Sequence, residues 1–253
     1  MQIWTEEAID AYNTELACCS PRERIAWVLD RYKKRVLINC GIGVGSVVLM
    51  KLIADAAANI KVVPDIVTID TGIRLAGTRR LIKSLRHKFR LPIQALRPSA
   101  EDLATVRHLP NLAIFTGPQG LEERLRCCNV RKEAPLRRKL KQYDAWMNSL
   151  VPDGATTDRT TVPFVQIDEK HGGILKFNPL ADHTKQDFWD FIRSHRLPYH
   201  PAFDLGFGSV GCGGCCTSSG EDRNGRWPWE KNRSGATCFI NDVQKKPMDT
   251  DSA

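Results

Sequence analysis

No stretch of this chain has enough consecutive apolar residues to span a bilayer, and Met1-Gln2-Ile3-Trp4-Thr5-Glu6-Glu7 carries no basic region followed by an apolar run. Neither a membrane span nor a secretory leader is expected. Internal repeats are absent too. A basic tract interleaved with aromatics, the usual footprint of nucleic-acid binding, is also missing. The dense runs Arg137-Arg138-Lys139-Leu140-Lys141 and Arg79-Arg80 fall in amphipathic helical patterns and read as solvated faces. Membranes and nucleic acids are therefore poor candidates for partners. The glycine-rich stretch Gly41-Ile42-Gly43-Val44-Gly45 is neither a Gly-Lys-Ser/Thr phosphate loop nor a G-x-G-x-x-G fingerprint, the two commonest nucleotide motifs.

What is present is a chain of 253 residues, 42% hydrophobic and 26% charged, ordinary for a soluble globular protein and long enough for one large domain or a domain with an appendage. Its nine cysteines exceed what packing needs. Without a leader they point to a reducing cytoplasm, where thiols bind metal or do chemistry and do not act as staples. The net charge of +8 suggests an anionic partner. With nucleic acid set aside, a small phosphorylated molecule is the better fit. Oligomeric state is not set by composition, and a homo-oligomer is compatible with it.

Along the chain, Ser20-Pro21-Arg22-Glu23 reads as a helix start, with Ser20 as cap and Glu23 closing a capping box. Arg35–Asn39 reads as a buried strand that empties into Cys40-Gly41-Ile42-Gly43-Val44-Gly45-Ser46 and then a helix. Strand, glycine-rich turn and helix together aim backbone N–H groups and a helix N-terminus at phosphate. A plain tight turn needing positive φ is the alternative. A second strand, Asp65–Ile69, ends at Asp70-Thr71-Gly72; a helix over Thr78–Phe89 and a strand over Pro92–Leu96 complete a βαβαβ rhythm. The fold class is therefore α/β: a parallel twisted sheet with helices on both faces and nucleotide at the strand C-terminal ends. Residues 98–120 show no clear period. Leu121–Arg126 looks helical; Ala145–Met147, Phe164–Asp168 and Ile174–Phe177 read as strands, and Thr184 caps a helix over Lys185–His195. From about Ser218 the composition shifts to Gly, Ser, Pro, Trp and charge, and a mobile tail with little core of its own is expected.

The chemistry centres on cysteine. Cys127-Cys128 and, far along the chain, Cys212-Gly213-Gly214-Cys215 offer four thiolates from two segments, as in an iron–sulfur cube or a structural zinc. Adjacent cysteines do not easily meet one zinc tetrahedrally but can reach two irons of a cube, so the spacing favours a cluster. Zinc and plain buried thiols are the alternatives. Arg131, Lys132, Arg223 and Arg226 surround these cysteines with cations, which suits an anion beside the metal.

The segment Cys127-Cys128-Asn129-Val130-Arg131-Lys132-Glu133-Ala134-Pro135-Leu136-Arg137-Arg138 resembles the CC-x-x-RK-x-x-PLRR segment of the sulfonucleotide reductases. Lys176–Asp182, Leu197-Pro198-Tyr199, Gly211-Cys212 and Gly225-Arg226-Trp227 are similar to that family as well. The resemblance implies an adenine nucleotide alpha-hydrolase-like (PP-loop) fold with a modified loop at Gly41–Ser46, including Gly41, Gly43 and Ser46, and Asp70, Thr71 and Gly72 near the adenosine. It implies a 4Fe-4S cluster on Cys127, Cys128, Cys212 and Cys215, the mark of the adenylyl-sulfate (APS) reductases, with Cys216 as a rival fourth ligand. Phosphoadenylyl sulfate (PAPS) is the related substrate. Lys132, Arg223 and Arg226 match positions that hold the phosphosulfate. Cys238 matches the nucleophile that takes the sulfo group before thioredoxin or a glutaredoxin-like dithiol releases sulfite. On this reading residues 1–210 form the nucleotide-binding reductase domain and 211–253 a cluster-binding segment with a tail carrying Cys238. Departures are visible: Gly41 stands where the family has serine, Cys216 is inserted before Thr217, an arginine pair is replaced at Leu150-Val151-Pro152-Asp153, and no glycine and histidine follow Cys238. These leave two other functions open, an ATP-dependent adenylating sulfur-transfer enzyme and a non-catalytic nucleotide- or cluster-sensing paralogue.

Overall fold

A computed structural model describes residues 4–152, 160–218 and 225–230. Side-chain caps start many of its helices. Thr5 caps α1 (Glu6–Ala17). The Ser20 capping box forms as expected at α2 (Pro21–Tyr32): Glu23 N–H donates to Ser20 Oγ and Ser20 N–H donates back to Glu23 Oε2. There follow β1 (Val36–Asn39), α3 (Val44–Ile60), β2 (Asp65–Ile69), α4 (Thr78–Phe89) and β3 (Ile93–Leu96). The stretch without periodicity holds two short helices, α5 (Ala100–Thr105) and α6 (Leu112–Phe115), each closed by a local cap from Ser99 or Asn111. Such helices are too short to show a repeat. The next helix, α7 (Gly120–Cys128), runs further than Leu121–Arg126 and holds both cysteines inside it. A π-helical turn, Asn129–Glu133, continues it into α8 (Ala134–Leu140). The chain then forms β4 (Ala145–Met147), β5 (Val165–Asp168), β6 (Ile174–Phe177) and α9 (Lys185–Ser194).

The six strands lie in the order β3-β2-β1-β4-β6-β5. Five run parallel, as expected of the sheet; β5 alone among the described strands pairs antiparallel, with β6 at the edge. The cause is local. The β5–β6 connection is a short 3-10 turn, Glu169–His171, with two glycines, and a parallel crossover needs a dozen residues or more.

Alternation along the strands sorts the core into two faces. Val36, Ile38, Ile66, Ala145 and Met147 join α2, α3, α4 and α9 in a large apolar core. Leu37, Val67 and Trp146 point the other way, into a smaller core shared with Cys127, Cys128, Cys212, Cys215 and Trp227. Trp227 is fully buried, so the stretch around Gly225-Arg226-Trp227 has a core to pack into, contrary to the coreless tail expected from Ser218 onward. Among the described residues of the segment 211–253, both 211–218 and 225–230 pack on this thiol-bearing face.

The glycine-rich turn does not rely on positive φ: none of Gly41, Gly43 and Gly45 adopts it. Gly45 has a packing reason instead. A Cβ there would stand 2.8 Å from Phe188 of α9, so its absence lets α9 close on α3.

Candidate active site and thiol nest

The C-terminal ends of β1, β2 and β4 open into a cavity of about 510 Å³. It brings together Gly41, Ser46, Asp70, Thr71, Lys132 and Arg226 from four distant stretches of chain. Two expected residues do not line it. Gly43 is the cap residue of α3, where an added Cβ meets nothing within 4 Å, so it contributes only the backbone at the helix start. Gly72, at φ +79°, turns the chain away, and it lines a separate groove with Pro201 and Leu205. Arg223 and Cys238 lie outside the described residues.

Four arginines in the cavity wall were not among the expected site residues: Arg74, Arg79, Arg86 and Arg97. Arg79 was taken for a solvated face; it is exposed yet forms the cavity rim, because the N-terminal turns of α4 follow directly on the loop after β2. Asn148 and Ser149 line the wall with Leu150, the first residue of the stretch that replaces the family's arginine pair, and Ser149 hydrogen-bonds Ser46 at 3.1 Å.

The electrostatics are lopsided. Among the described residues the wall carries six cations, Arg74, Arg79, Arg86, Arg97, Lys132 and Arg226, against one carboxylate, Asp70. Asp70 is buried and ion-paired to both Arg74 and Arg97, the latter at 2.8 Å. It also accepts from the Gly72 N–H at 3.1 Å. Burial, then repulsion from Arg79 and Arg97, pulls Arg74 below its usual value. A wall with this surplus is stabilised by a polyanion.

Behind this cavity lies a nest of four thiols. Cys127 and Cys128 come from the last turn of α7, Cys212 and Cys215 from the turn that follows Gly211; all four are at most 7% exposed and share one core. That turn is held by Gly213 N–H to Ile73 O at 3.1 Å and by Cys212 Sγ to Thr71 Oγ1 at 3.3 Å. Burial first, then Cys128 and other neighbours, pushes the Cys127 thiol up to about 11. Burial first, then Cys212 and Cys128, takes Cys215 up to about 12. The two segments thus stand within electrostatic reach of each other. Cys216 lies apart from this core, near Arg226: a Cβ on Gly211 would meet Cys216 Sγ and Arg226 Cζ, each at 3.1 Å. No three Cys, His, Asp or Glu among the described residues are grouped to hold a single metal ion.

The nest and the cavity share walls, since Lys132 and Cys212 line both. Arg131, next to Lys132, does something else. Its Nη1 donates to Thr71 O at 2.9 Å and its Nη2 to Leu109 O at 2.8 Å and Val106 O at 3.3 Å, so it ties loops together and does not present charge to the cavity. It stands beside the cysteines, as expected, but on the nest and not on the cavity wall. The π-helical turn lets neighbouring residues 131 and 132 reach different targets.

The donor set fits a cluster. Beyond the four thiols, Arg124 and Arg131 line the nest, and each keeps a buried nitrogen, Arg124 Nη1 and Arg131 Nε, with no hydrogen-bond partner. A buried donor without a partner is costly, and an anionic group with several acceptor atoms would satisfy both.

Residues 35–218 match the family model described as phosphoadenosine phosphosulfate reductase domain. The chain belongs to the sulfonucleotide reductase family. A relative named adenosine 5'-phosphosulfate reductase, from Neisseria meningitidis serogroup B, is 35% identical over 76% of each chain. Another of that name, from Halalkalibacterium halodurans, is 32% identical over 85% of this chain and 89% of its own. Among solved structures, phosphoadenylyl-sulfate reductase from Candida auris superposes with a TM-score of 0.66 at 21% identity, covering 84% of this chain and 98% of that one. The FMN adenylyltransferase of Candida glabrata follows at TM-score 0.54 and 12% identity, over 85% and 68%. Those two likenesses concern the fold alone. In this sulfonucleotide reductase the cavity therefore sits where doubly wound sheets hold nucleotides, beyond the strand C-termini.

Proposed function

We propose that the protein reduces adenylyl sulfate to sulfite and AMP, with a thioredoxin- or glutaredoxin-type dithiol as donor in a reducing cytoplasm. The observation that carries this reading is the six-cation cavity sharing Lys132 and Cys212 with a four-thiol nest. The relatives' names agree with it.

The nucleotide lies with its phosphate toward Gly41, the α3 N-terminus and Ser46, its adenosine toward Asp70 and Thr71, and its sulfate toward Lys132, Arg226 and Arg223. These cations stabilise the charge that builds on the bridging oxygen as the sulfur–oxygen bond breaks. The Cys238 thiolate attacks sulfur; a sulfur–sulfur bond forms and AMP leaves with the bonding electron pair. A donor thiolate then attacks the Cys238 sulfur and sulfite departs with the electron pair of the sulfur–sulfur bond. The donor's second thiol closes its own disulfide and returns Cys238 as a thiol, so two electrons come from the dithiol. Cys127, Cys128, Cys212 and Cys215 would hold the 4Fe-4S cluster; bound there, it supplies a fixed charge beside Lys132 and a cross-link between α7 and the turn after Gly211.

The test is anaerobic purification with iron and sulfide analysis, then sulfite release from APS and PAPS in parallel. Faster release from APS and a sulfo adduct on the intact protein, lost in Cys238→Ser, are expected. No adduct on the wild type, or one that survives the substitution, would remove the reading. Pyrophosphate release from ATP without APS would move the protein to the adenylating class.

A further inference from the structure

Arg124 lies on α7 one turn before the paired cysteines, lines the thiol nest, and takes no part in the sulfo-transfer steps above. It is 1% exposed. Its Nε and Nη2 both donate to the Glu230 carboxylate, Nη2 to Oε2 at 3.3 Å. Its guanidinium carbon lies 4.0 Å from the centroid of the Trp227 ring. The guanidinium of Arg226 lies over that same ring, at 4.5 Å. One indole thus hosts two cations, an arrangement that Glu230 makes tolerable by neutralising Arg124.

Trp227 needs holding. Its φ is +50°, a region that side-chain-bearing residues seldom adopt, and its neighbours over-determine it. Trp227 N–H donates to Cys215 O at 3.2 Å, Glu230 N–H to Trp227 O at 3.0 Å, and Trp229 stacks on Phe115 with centroids 5.8 Å apart. One turn of α7 therefore grips the short segment that carries Arg226, on the wall shared with the thiols.

We propose that Arg124 is a positioning residue for Arg226, acting through Trp227 and Glu230. It sets where the Arg226 guanidinium stands at the sulfate end of the cavity without touching substrate itself. The inference rests on the proposed function, since it takes Arg226 as the group that meets sulfate. A planar guanidinium is required, because only it can both stack on the indole and fork onto the carboxylate.

The test compares Arg124→Met, Arg226→Met and the double variant in the full chain, purified anaerobically and normalised to iron. Arg124→Met is expected to raise KM for adenylyl sulfate roughly tenfold while AMP affinity moves less than about twofold, AMP having no sulfate. The double variant should be no weaker than Arg226→Met alone. Arg124→Lys should not rescue. Without any substrate, hydrogen exchange at the Thr217 and Trp227 amides should quicken in Arg124→Met; Glu230→Gln, which loosens the same grip, is the second variant should Arg124→Met fail to fold. Additive losses, rescue by lysine, losses that track iron content, or unchanged exchange would each overturn the proposal. A wild-type chain that releases no sulfite takes the proposed function down and this inference with it; an active wild type with additive losses takes down the inference alone.

Discussion

The two faces of the sheet are built on different principles. One is a large apolar core in which Ile25, Ile38, Leu49, Ile53 and Leu175 exclude water; it holds the thiol of Cys40, which burial lifts to about 12, and keeps Tyr32 and the Arg24–Asp182 pair to its margin. The other is thinner and holds buried charge throughout: Arg124 against Glu230, Arg131 against three carbonyls, and His171 between Asp168 and Glu133. An apolar face is stabilised by area and tolerates volume-conserving change. A polar face is stabilised by pairing, and each pairing fixes a direction as well as an energy. The lesson is that the face given over to chemistry is the one where single partners matter.

The sharpest way to break that contrast is at the thiols. Cys128→Ser and Cys212→Ser should each abolish iron retention and sulfite release, measured by metal analysis and activity, while circular dichroism keeps the sheet signature. If either variant retained full iron, the nest would be no metal site. Next comes the apolar face. Ile38→Ala or Leu49→Ala should cost about 2–5 kcal/mol in denaturant unfolding with KM unchanged for the folded fraction. A change in KM equal to that of a cavity variant would show that the faces are not separable.

A smaller effect is expected at the α3–α9 contact. Gly45→Ala should cost about 1–3 kcal/mol as Phe188 is forced aside. Thermal unfolding would reveal it, and an unchanged melting point would mean that the ring moves freely. Smaller still, and specific to the polar face, is a pH effect. Burial alone would lower the His171 pKa, but hydrogen bonds and charge from Asp168 and Glu133 outweigh it and lift the group from its ordinary 6.5 to about 9. A raised folded value means stability fully present below about pH 6.5 and lost as pH rises through about 9. His171→Gln should flatten that alkaline slope in denaturant titrations, and a slope identical to wild type would detach His171 from the network. Because Glu133 adjoins Lys132, the variant also reports whether the π-helical turn is held from below.

Much of this was legible in the residues themselves. Short apolar runs bounded by glycine, proline or aspartate marked all six strands, since a buried strand must be apolar on both faces. The capping box at Ser20 and the cap at Thr184 were readable because their partners are three residues away. Other features were not. The antiparallel edge depends on how short a turn the chain can make between β5 and β6, and that leaves no periodic signal. Arg79 looked like solvent-facing charge and Arg97 carried no signal, because nothing local says that α4 and the end of β3 flank a cavity. Arg131 and Lys132 are adjacent and chemically alike, yet one ties loops and the other faces the cavity.

What the residue order determined unaided was the alternation of strand and helix, the two cysteine pairs and the family to which they belong, because these rest on neighbours in the chain and on residue chemistry. What tertiary structure alone decided was which groups face one another: Cys215 and not Cys216 beside Cys127 and Cys128, six cations on one cavity wall with Asp70, and Trp227 against both Arg124 and Arg226. Those pairings join segments far apart in sequence, and their geometry comes only from the way the sheet, α7 and the segment around Trp227 pack together.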